Sequence, residues 1–225
     1  MKLSFAEENY LKTIYRIGKN KQVVQTNAIA ILIKTKASSV TDMLDKLSLK
    51  KLISYTKYKG VSLTRTGKKH AILIIRKHRL WEYFLVYKLG FSWDKVHDIA
   101  EQLEHIASDE LIERLDVFLG EPKFDPHGDP IPNNKGQYLS LPAMQLLGNC
   151  ETNKTYKIGK VDSEDDTFLS FLNTIGLQLA SEIRITHKFA YNSSMEIEII
   201  KNKKKIILDT NIHSKIHALV KHGSN

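Results

Sequence analysis

The sequence has only one cysteine, Cys150, among its 225 residues, which excludes a disulfide-stabilised scaffold and a zinc site built from several thiolates. It has no run of 18 apolar residues, so we expect no membrane-spanning helix and no membrane partner. The first ten residues also lack the apolar stretch of a secretory signal peptide. Together these absences predict a protein of the reducing cytoplasm.

Positive charge is in excess over the whole chain but is unevenly distributed. The chain has 34 Lys and Arg against 25 Asp and Glu, a formal net charge of +9. Residues 1–70 contain 15 basic and 4 acidic residues, a net charge of +11, whereas residues 71–140 (8 and 12) and 141–225 (11 and 9) have −4 and +2. A basic N-terminal region beside a neutral or acidic remainder is typical of a nucleic-acid-binding domain. A basic domain whose charge only keeps it soluble is the alternative.

The N-terminal region has the pattern of a winged helix-turn-helix, in which a β-hairpin follows three helices. Ser4 and Glu7 have the spacing of a capping box, which marks the start of the first helix. The predicted elements are a helix over about 4–17 that ends at Gly18 and the polar run Lys19–Gln22, a helix from near Thr26, a helix capped by Ser38 or Ser39, and a hairpin from Ile53 to Leu63 with its turn at Lys59 and Gly60.

The start of the third helix is the predicted DNA-reading element, because a helix N-terminus enters the major groove and places its first side chains on base edges. Lysines at the hairpin tip are expected to contact the phosphate backbone. The candidate DNA contacts are Lys36, Ser38, Ser39, Thr41 and Asp42 in the helix and Lys57 and Lys59 in the hairpin. A winged helix that binds only other proteins is the alternative interpretation.

Two long helices, from Thr66 to Leu89 and from about Trp93 to Leu119, are predicted after the hairpin. The five prolines all lie between positions 122 and 142, which indicates a linker at Glu121–Leu141. Short alternating segments beyond it predict a small, mostly β, barrel-like domain. The predicted strands are Tyr156–Val161, Glu182–Lys188, Met195–Ile200 and Lys204–Leu208, with one helix around Phe168–Leu172.

Histidine and glutamate recur at helical spacing in the middle of the chain. One predicted helix has His97, Glu101, Glu104 and His105 at i, i+4, i+7 and i+8, on one face, and the preceding helix has His78 and Glu82 at i and i+4. Carboxylates and imidazoles without thiolates favour Mn²⁺ or Fe²⁺, with Zn²⁺ and Co²⁺ as further ions of the same class. A solvated helix face is the alternative, as is a carboxylate-bridged metalloenzyme, because Glu-x-x-His pairs also hold di-iron centres in four-helix bundles.

Several ordered segments resemble the DtxR/MntR family of metal-dependent transcriptional repressors. They are Glu8–Tyr15 (ENYLKTIY), Ser38–Thr41 (SSVT), Arg76–Leu85 (RKHRLWEYFL), Val96–His105 (VHDIAEQLEH) and Asp125–Pro132 (DPHGDPIP). The resemblance implies a homodimer that binds a palindromic operator near metal-uptake genes when its metal is bound. It also implies a fold that is mainly α with β: a winged helix-turn-helix domain over 1–65, a helical dimerisation and metal-binding domain over 66–140 and a small SH3-like (FeoA-like) domain over 141–225.

The resemblance further assigns metal ligands to His78, Glu82, His97, Glu101, Glu104 and His105. The iron-type branch has cysteine at the position of Glu101, so the carboxylate here resembles the manganese-type branch. Two positions depart from the family: Asn9 stands where an Asp or Met ligand is common, and Lys12 stands where some members have a second glutamate. We therefore expect Asn9 to be a weaker ligand and Lys12 to disfavour a second ion.

The sequence as a whole predicts a manganese-dependent repressor without enzymatic activity. An iron-responsive repressor of the same family is the nearest alternative. A carboxylate-bridged metalloenzyme and a winged-helix regulator that does not respond to metal are the others.

Overall fold

The structure is a computed structural model that describes residues 3–18, 23–140, 142–162 and 165–220. Its helices are α1 (Phe5–Gly18), α2 (Thr26–Ile33), α3 (Ala37–Leu49), α4 (Arg65–Tyr87), α5 (His97–Leu103), α6 (Asp109–Phe118), α7 (Asp166–Ile175) and α8 (Thr210–His213). Its strands are β1 (Ile53–Thr56), β2 (Gly60–Leu63), β3 (Met144–Leu146), β4 (Thr155–Val161), β5 (Glu182–Lys188), β6 (Met195–Ile199), β7 (Lys204–Leu208) and β8 (Ile216–Leu219).

The N-terminal region forms the predicted three helices and hairpin. The backbone N–H of Ser4 donates to the Glu7 carboxylate (2.8 Å) and the N–H of Glu7 donates to the Ser4 hydroxyl (3.3 Å), so the capping box is present at the start of α1. Strands β1 and β2 pair antiparallel, with Ile53 opposite Leu63. The polar run Lys19–Gln22, expected to end the first helix, lies outside the described residues.

The predicted cap of α3 is wrong. The helix begins at Ala37, and Lys36 holds the N-cap position without a side-chain hydrogen bond. Ser38 and Ser39 therefore lie inside the first turn, and both are exposed. Their hydroxyls are free for contacts outside the helix, because neither is used as its cap.

The single long helix predicted from Trp93 to Leu119 is also wrong. The segment forms a short 3₁₀ turn at Trp93–Lys95, then α5 and α6. The break has a local cause, since the side chain of Ser108 accepts the backbone N–H of Leu111 (3.2 Å) and so caps a new helix. Glu104 follows the last residue of α5, and His105 lies in the turn beyond it.

The C-terminal region is a six-stranded antiparallel sheet in the order β3-β8-β4-β5-β6-β7, with α7 packed against it. The four predicted strands are present within a residue of their predicted ends, and β3, β8 and α8 were not predicted. Strands of three or four residues, such as β3 and β8, are too short for alternation to show in the sequence.

The proline-rich segment joins the two halves by direct contacts. It contains no helix or strand between 121 and 140, as its prolines predicted, but Ile131 is buried in the helical domain. The carbonyl of His127 accepts the backbone N–H of Val161 in β4 (2.9 Å). Trp93 belongs to the apolar core of the C-terminal region. The segment therefore holds the sheet against the helices.

Across the described residues, no helix combines the length and the apolar character needed to cross a membrane.

Candidate metal centre and nucleic-acid interface

His78 is the central side chain of a buried cluster between α4 and α5. Its Nδ1 lies 2.6 Å from Oε2 of Glu104, and its Nε2 lies 3.0 Å from Oε1 of Glu82 and 3.2 Å from Nδ1 of His97. His78 and Glu82 face α5 together because they are four residues apart on α4. Glu82 and Glu104 are buried, so their carboxylates depend on cations or donors for compensation.

Within the described part of the chain, three groups of side chains have ligand atoms within 4.8 Å of one another, as a metal site requires. The groups are His78, Glu82 and His97; His78, Glu101 and Glu104; and Glu82, Asp125 and His127. They bring together five of the six residues predicted from sequence. The sixth, His105, adjoins them, with Nε2 at 3.5 Å from Oε1 of Glu104.

The electrostatics of this cluster show how strongly the carboxylates need positive charge. Burial lowers the pKa of His78, but the charges of Glu82 and Glu104 and their hydrogen bonds outweigh it and raise the pKa to about 9. Burial raises the pKa of Glu82, yet the charge of His78 and the hydrogen bonds from His78 and His97 bring it well below its usual range. The pKa shifts of His78 and Glu82 thus have the same cause, which is the attraction between an imidazole and the buried carboxylates around it.

The first helix of the N-terminal domain also enters the cluster. The Lys12 ammonium lies 2.5 Å from Oε2 of Glu101 and 2.5 Å from Oε1 of Glu104. Burial raises the pKa of Glu101, but the charge and the hydrogen bond of Lys12 lower it by more, so the pKa is below its usual value overall. The carboxylates of Glu101 on α5 and of Glu104 just after it are thus compensated by a side chain of α1.

Two buried polar atoms, one on α1 and one in the turn after α5, have no hydrogen-bond partner among the described residues: Oδ1 of Asn9 and Nε2 of His105. The other nitrogen of His105, Nδ1, lies 2.5 Å from Oε2 of Glu8. A carboxylate that accepts from one imidazole nitrogen orients the other for a metal. An amide oxygen, an imidazole nitrogen and the Glu101 and Glu104 carboxylates fit a hard or borderline divalent cation.

Asp125 and His127 are cluster residues that the sequence analysis did not assign as ligands. Both are buried, and Oδ1 of Asp125 accepts the backbone N–H groups of His127 (2.8 Å) and Asp129 (2.9 Å). Burial, with the charges of Asp129 and Glu82, raises the pKa of Asp125 to about 7. The available signal was the motif Asp125–Pro132, in which an acid and a histidine are held by neighbouring prolines.

The predicted DNA contacts lie at the start of α3 and at the hairpin tip. Every one of them is exposed except Thr41, which is half-buried and donates its hydroxyl to the carbonyl of Ala37 (3.1 Å). Val40 and Leu44 are fully buried on the opposite face of α3. At the hairpin tip, the Lys57 ammonium lies 5.5 Å from the centre of the Tyr58 ring, beside the exposed Lys59.

Two models of protein families match the chain. The N-terminal DNA-binding domain of iron-dependent repressors matches residues 2–61, and the metal-binding and dimerisation domain of the same repressors matches residues 64–133. The two matches are consecutive and together cover more than half of the chain. Because α1 lies in the first matched region and α5 in the second, the contacts between Lys12 and Glu101 connect the matched DNA-binding region to the matched metal-binding region.

Two of the curated relatives align with just over half of the chain. An uncharacterised HTH-type transcriptional regulator of Methanocaldococcus jannaschii is 37% identical over 118 residues, which are 52% of this chain and 94% of that protein. The iron-dependent repressor IdeR of Mycobacterium leprae is 32% identical over 125 residues, 56% of this chain and 54% of that protein. This chain thus aligns with about half the length of the mycobacterial repressor.

A solved structure resembles the chain over nearly its full length. It is a manganese-dependent transcriptional repressor in complex with manganese, which superposes with a TM-score of 0.81 at 32% identity and covers 95% of this chain and 99% of that one. This match confirms the predicted fold class, with a winged helix-turn-helix domain, a helical domain and a small SH3-like domain in that order.

Proposed function

The chain belongs to the DtxR family of metal-dependent transcriptional repressors, and from this premise we propose that it represses metal-uptake genes in response to Mn²⁺. In the proposal it is a cytoplasmic protein that catalyses no reaction. Its site residues are those described above, with Asp125 and His127 added to the predicted ligands. Residues 1–65, 66–140 and 141–225 are its DNA-binding, metal-binding and SH3-like domains.

The choice of metal is supported by the chemistry of the ligand atoms. The cluster offers carboxylate, imidazole and amide groups, whereas Cys150 is buried in the core of the C-terminal region, beside Gln145. Oxygen and nitrogen ligands suit Mn²⁺ and Fe²⁺ better than soft ions. The similar structure named above contains manganese, whereas the matched family models and the mycobacterial relative are described as iron-dependent. Fe²⁺ is accordingly the alternative, and Zn²⁺ or Co²⁺ would substitute in vitro.

The observation that carries the proposal is the set of contacts that α1 makes with Glu101, Glu104 and His105. Oδ1 of Asn9 on α1 and Nε2 of His105 are both buried without a hydrogen-bond partner among the described residues, and Glu8, next to Asn9 on α1, contacts Nδ1 of that histidine. A bound divalent ion would supply positive charge between these groups. The residues of α1 and α5 then fix the orientation of the DNA-binding domain. Metal and DNA must strengthen each other's binding by the same factor.

We propose a homodimer that binds a palindromic operator, with α6 at the dimer interface. Leu111, Val117 and Phe118 on α6 are 40%, 69% and 64% exposed, although they are apolar. Exposed apolar groups on one helix favour association, because burial removes their surface from water. In a symmetric dimer the two α3 helices would face two half-sites one turn of DNA apart.

A DNA-binding measurement tests the proposed function. Operator sequences are first selected from random duplex DNA with the Mn²⁺-loaded protein, and affinity is then measured by fluorescence anisotropy with and without metal. We expect Mn²⁺ to raise operator affinity by about tenfold or more, in the usual range of allosteric coupling. The His105→Ala variant is expected to lose this response, while His187→Ala, in the C-terminal sheet, is expected to keep it.

Two results would contradict the proposal. Operator affinity that is unchanged by both Mn²⁺ and Fe²⁺ would favour a regulator that does not respond to metal. Oxygen consumption by the Fe²⁺-loaded protein would favour the metalloenzyme alternative.

A further inference from the structure

Lys12 brings a fixed positive charge into the candidate metal centre. Its side chain is only 7% exposed, and its ammonium contacts both Glu101 and Glu104 at 2.5 Å. These two carboxylates are on or next to α5, whereas Lys12 is on α1. The ammonium therefore occupies one oxygen of each carboxylate, Oε2 of Glu101 and Oε1 of Glu104, from α1.

An ammonium and a divalent ion cannot share these oxygens. Divalent ions such as Mg²⁺ and Ca²⁺ hold carboxylate oxygens at about 2.0–2.6 Å, and the Lys12 nitrogen already lies at this range from Glu101 and Glu104. Two cations at one pair of carboxylates would also repel each other strongly, because the site is buried and weakly screened.

We propose that Lys12 is a tethered competitor of the metal ion, which holds Glu101 and Glu104 together in the metal-free protein and must leave them when a divalent ion binds. The inference rests on the proposed function and identifies a residue that sets the metal concentration of the response. Asn9 is one turn before Lys12 on the same face of α1, so α1 carries both a ligand and its competitor.

The unpartnered atoms support displacement over permanent occupation by the ammonium. Lys12 satisfies one oxygen of each carboxylate, but Oδ1 of Asn9 and Nε2 of His105 stay without a donor. Leaving buried acceptors unsatisfied is unfavourable. In the proposal, the bound divalent ion also takes the Asn9 oxygen and the His105 nitrogen as ligands, and this gain offsets the loss of the Lys12 contacts.

The test compares Mn²⁺ binding by the metal-stripped full chain with and without this charge. Calorimetry, with chelator competition for tight binding, is applied to the wild type, Lys12→Met, Lys12→Arg and the control Lys50→Met, whose ammonium contacts Glu7 instead (2.5 Å). We expect Lys12→Met to bind Mn²⁺ at least about tenfold more tightly, since a nearby charge commonly shifts a binding equilibrium by one to three powers of ten. Lys12→Arg and Lys50→Met are expected to stay close to the wild type.

A folded Lys12→Met protein with unchanged or weaker Mn²⁺ affinity would overturn the inference. Lys12→Gln gives the same readout if the methionine variant folds poorly. The ammonium is also observable directly by nitrogen NMR of lysine side chains, with Zn²⁺ as a diamagnetic ion. We expect a protected Lys12 signal in the metal-free protein that disappears at saturation, and its persistence would equally refute displacement.

The outcomes separate this inference from the proposed function. If the wild type binds Mn²⁺ without any change in operator affinity and Lys12→Met binds it more tightly, displacement stands and the repressor function fails. If operator binding responds to Mn²⁺ but Lys12→Met has wild-type affinity, only displacement fails. Absence of Mn²⁺ binding by both proteins would refute the two together.

Discussion

Glu8 and Asn9 are adjacent on α1 but have different environments. Glu8 contacts Nδ1 of His105, while the amide oxygen of Asn9 is buried without a partner in the described structure. An amide is neutral, so it contributes no charge to a cation site, whereas an aspartate of nearly the same size would. Ligand charge is a main determinant of affinity for hard cations.

The Asn9→Asp variant is therefore expected to bind Mn²⁺ more tightly, by about tenfold or more on the basis of ligand charge. Calorimetry on the metal-stripped protein measures the change. Asn27→Asp is the matched control, because Asn27 is exposed on α2. Equal affinities for the wild type and Asn9→Asp would exclude Asn9 from the ligand shell.

Glu7 has a different role, which is to stabilise the N-terminal domain. Burial raises the pKa of Glu7, but hydrogen bonds from Lys50 and Ser4 lower it below its ordinary value overall. The stabilisation is present above the unfolded pKa and is lost as pH falls through the folded pKa. We expect Glu7→Gln to cost about 0.5–2 kcal/mol at neutral pH and progressively less in acid.

Urea unfolding between pH 7 and pH 3 measures this difference for Glu7→Gln. The exposed Asp45→Asn on α3 serves as the control and should change stability little. A stability difference that grows in acid would contradict the assigned sign.

At the scale of elements, the early end of α5 decides where the ligands point. On a continuous helix, positions 104 and 105 would share one face with 97 and 101. Glu104, which still has helical backbone angles at the end of α5, contacts His78 on α4, whereas His105 in the following turn contacts Glu8 on α1. One short helix thereby contacts two different neighbours, and each contact belongs to a different part of the candidate centre.

The start of α4 is fixed as tightly, by a glycine. A Cβ at Gly67 would lie 1.9 Å from the carbonyl oxygen of Leu52, which is backbone and cannot move aside cheaply. Gly→Ala in a helix normally stabilises by about 1 kcal/mol, but here we expect a loss of about 1–3 kcal/mol from overpacking. Urea unfolding of Gly67→Ala tests this, with the exposed Lys68→Ala as control, and a stabilised Gly67→Ala protein would refute it.

At the scale of the whole molecule, Trp93 joins the helical domain to the sheet. Its side chain is buried in the C-terminal core, and its ring stacks on His127, with the ring centres 5.6 Å apart. His127 is also in one of the candidate ligand groups, with Glu82 and Asp125. Docking of the sheet and the shape of that group therefore depend on the same two rings.

Trp93→Ala is expected to destabilise the protein by about 3–5 kcal/mol, as buried large-to-small changes do. It should also raise hydrogen exchange in β4, whose Val161 bonds to His127. Urea unfolding measures the loss of stability, and hydrogen-exchange mass spectrometry measures the protection of β4. The fully exposed Tyr191→Ala is the control for both. Unchanged protection of β4 would show that Trp93 does not hold the two domains together.

The sequence predicted those features that a regular spacing encodes. His78 and Glu82 are one helical turn apart, and the helix between them exists, so their proximity followed from sequence. The separation of Glu104 from His105 did not, because the apolar positions of α5 and α6 continue in nearly the same period across the Ser108 cap. Asp125 and His127 were not predicted as ligands because loop residues have no period, and only the folded loop brings them to Glu82.

Gly128 limits which C-terminal domains could replace the one in this protein. A Cβ there would lie 2.2 Å from the carbonyl oxygen of Gly159, so the loop and β4 touch backbone to backbone, without side chains between them. A different C-terminal domain joined to this loop would need, for the same contact, a strand whose backbone lies as close to Gly128 as β4 does at Gly159. The same contact would be absent from any chain that lacks β4. Even there, glycine would still be favoured at this position because its φ of +89° is in the left-handed region, so only the packing reason for it would disappear.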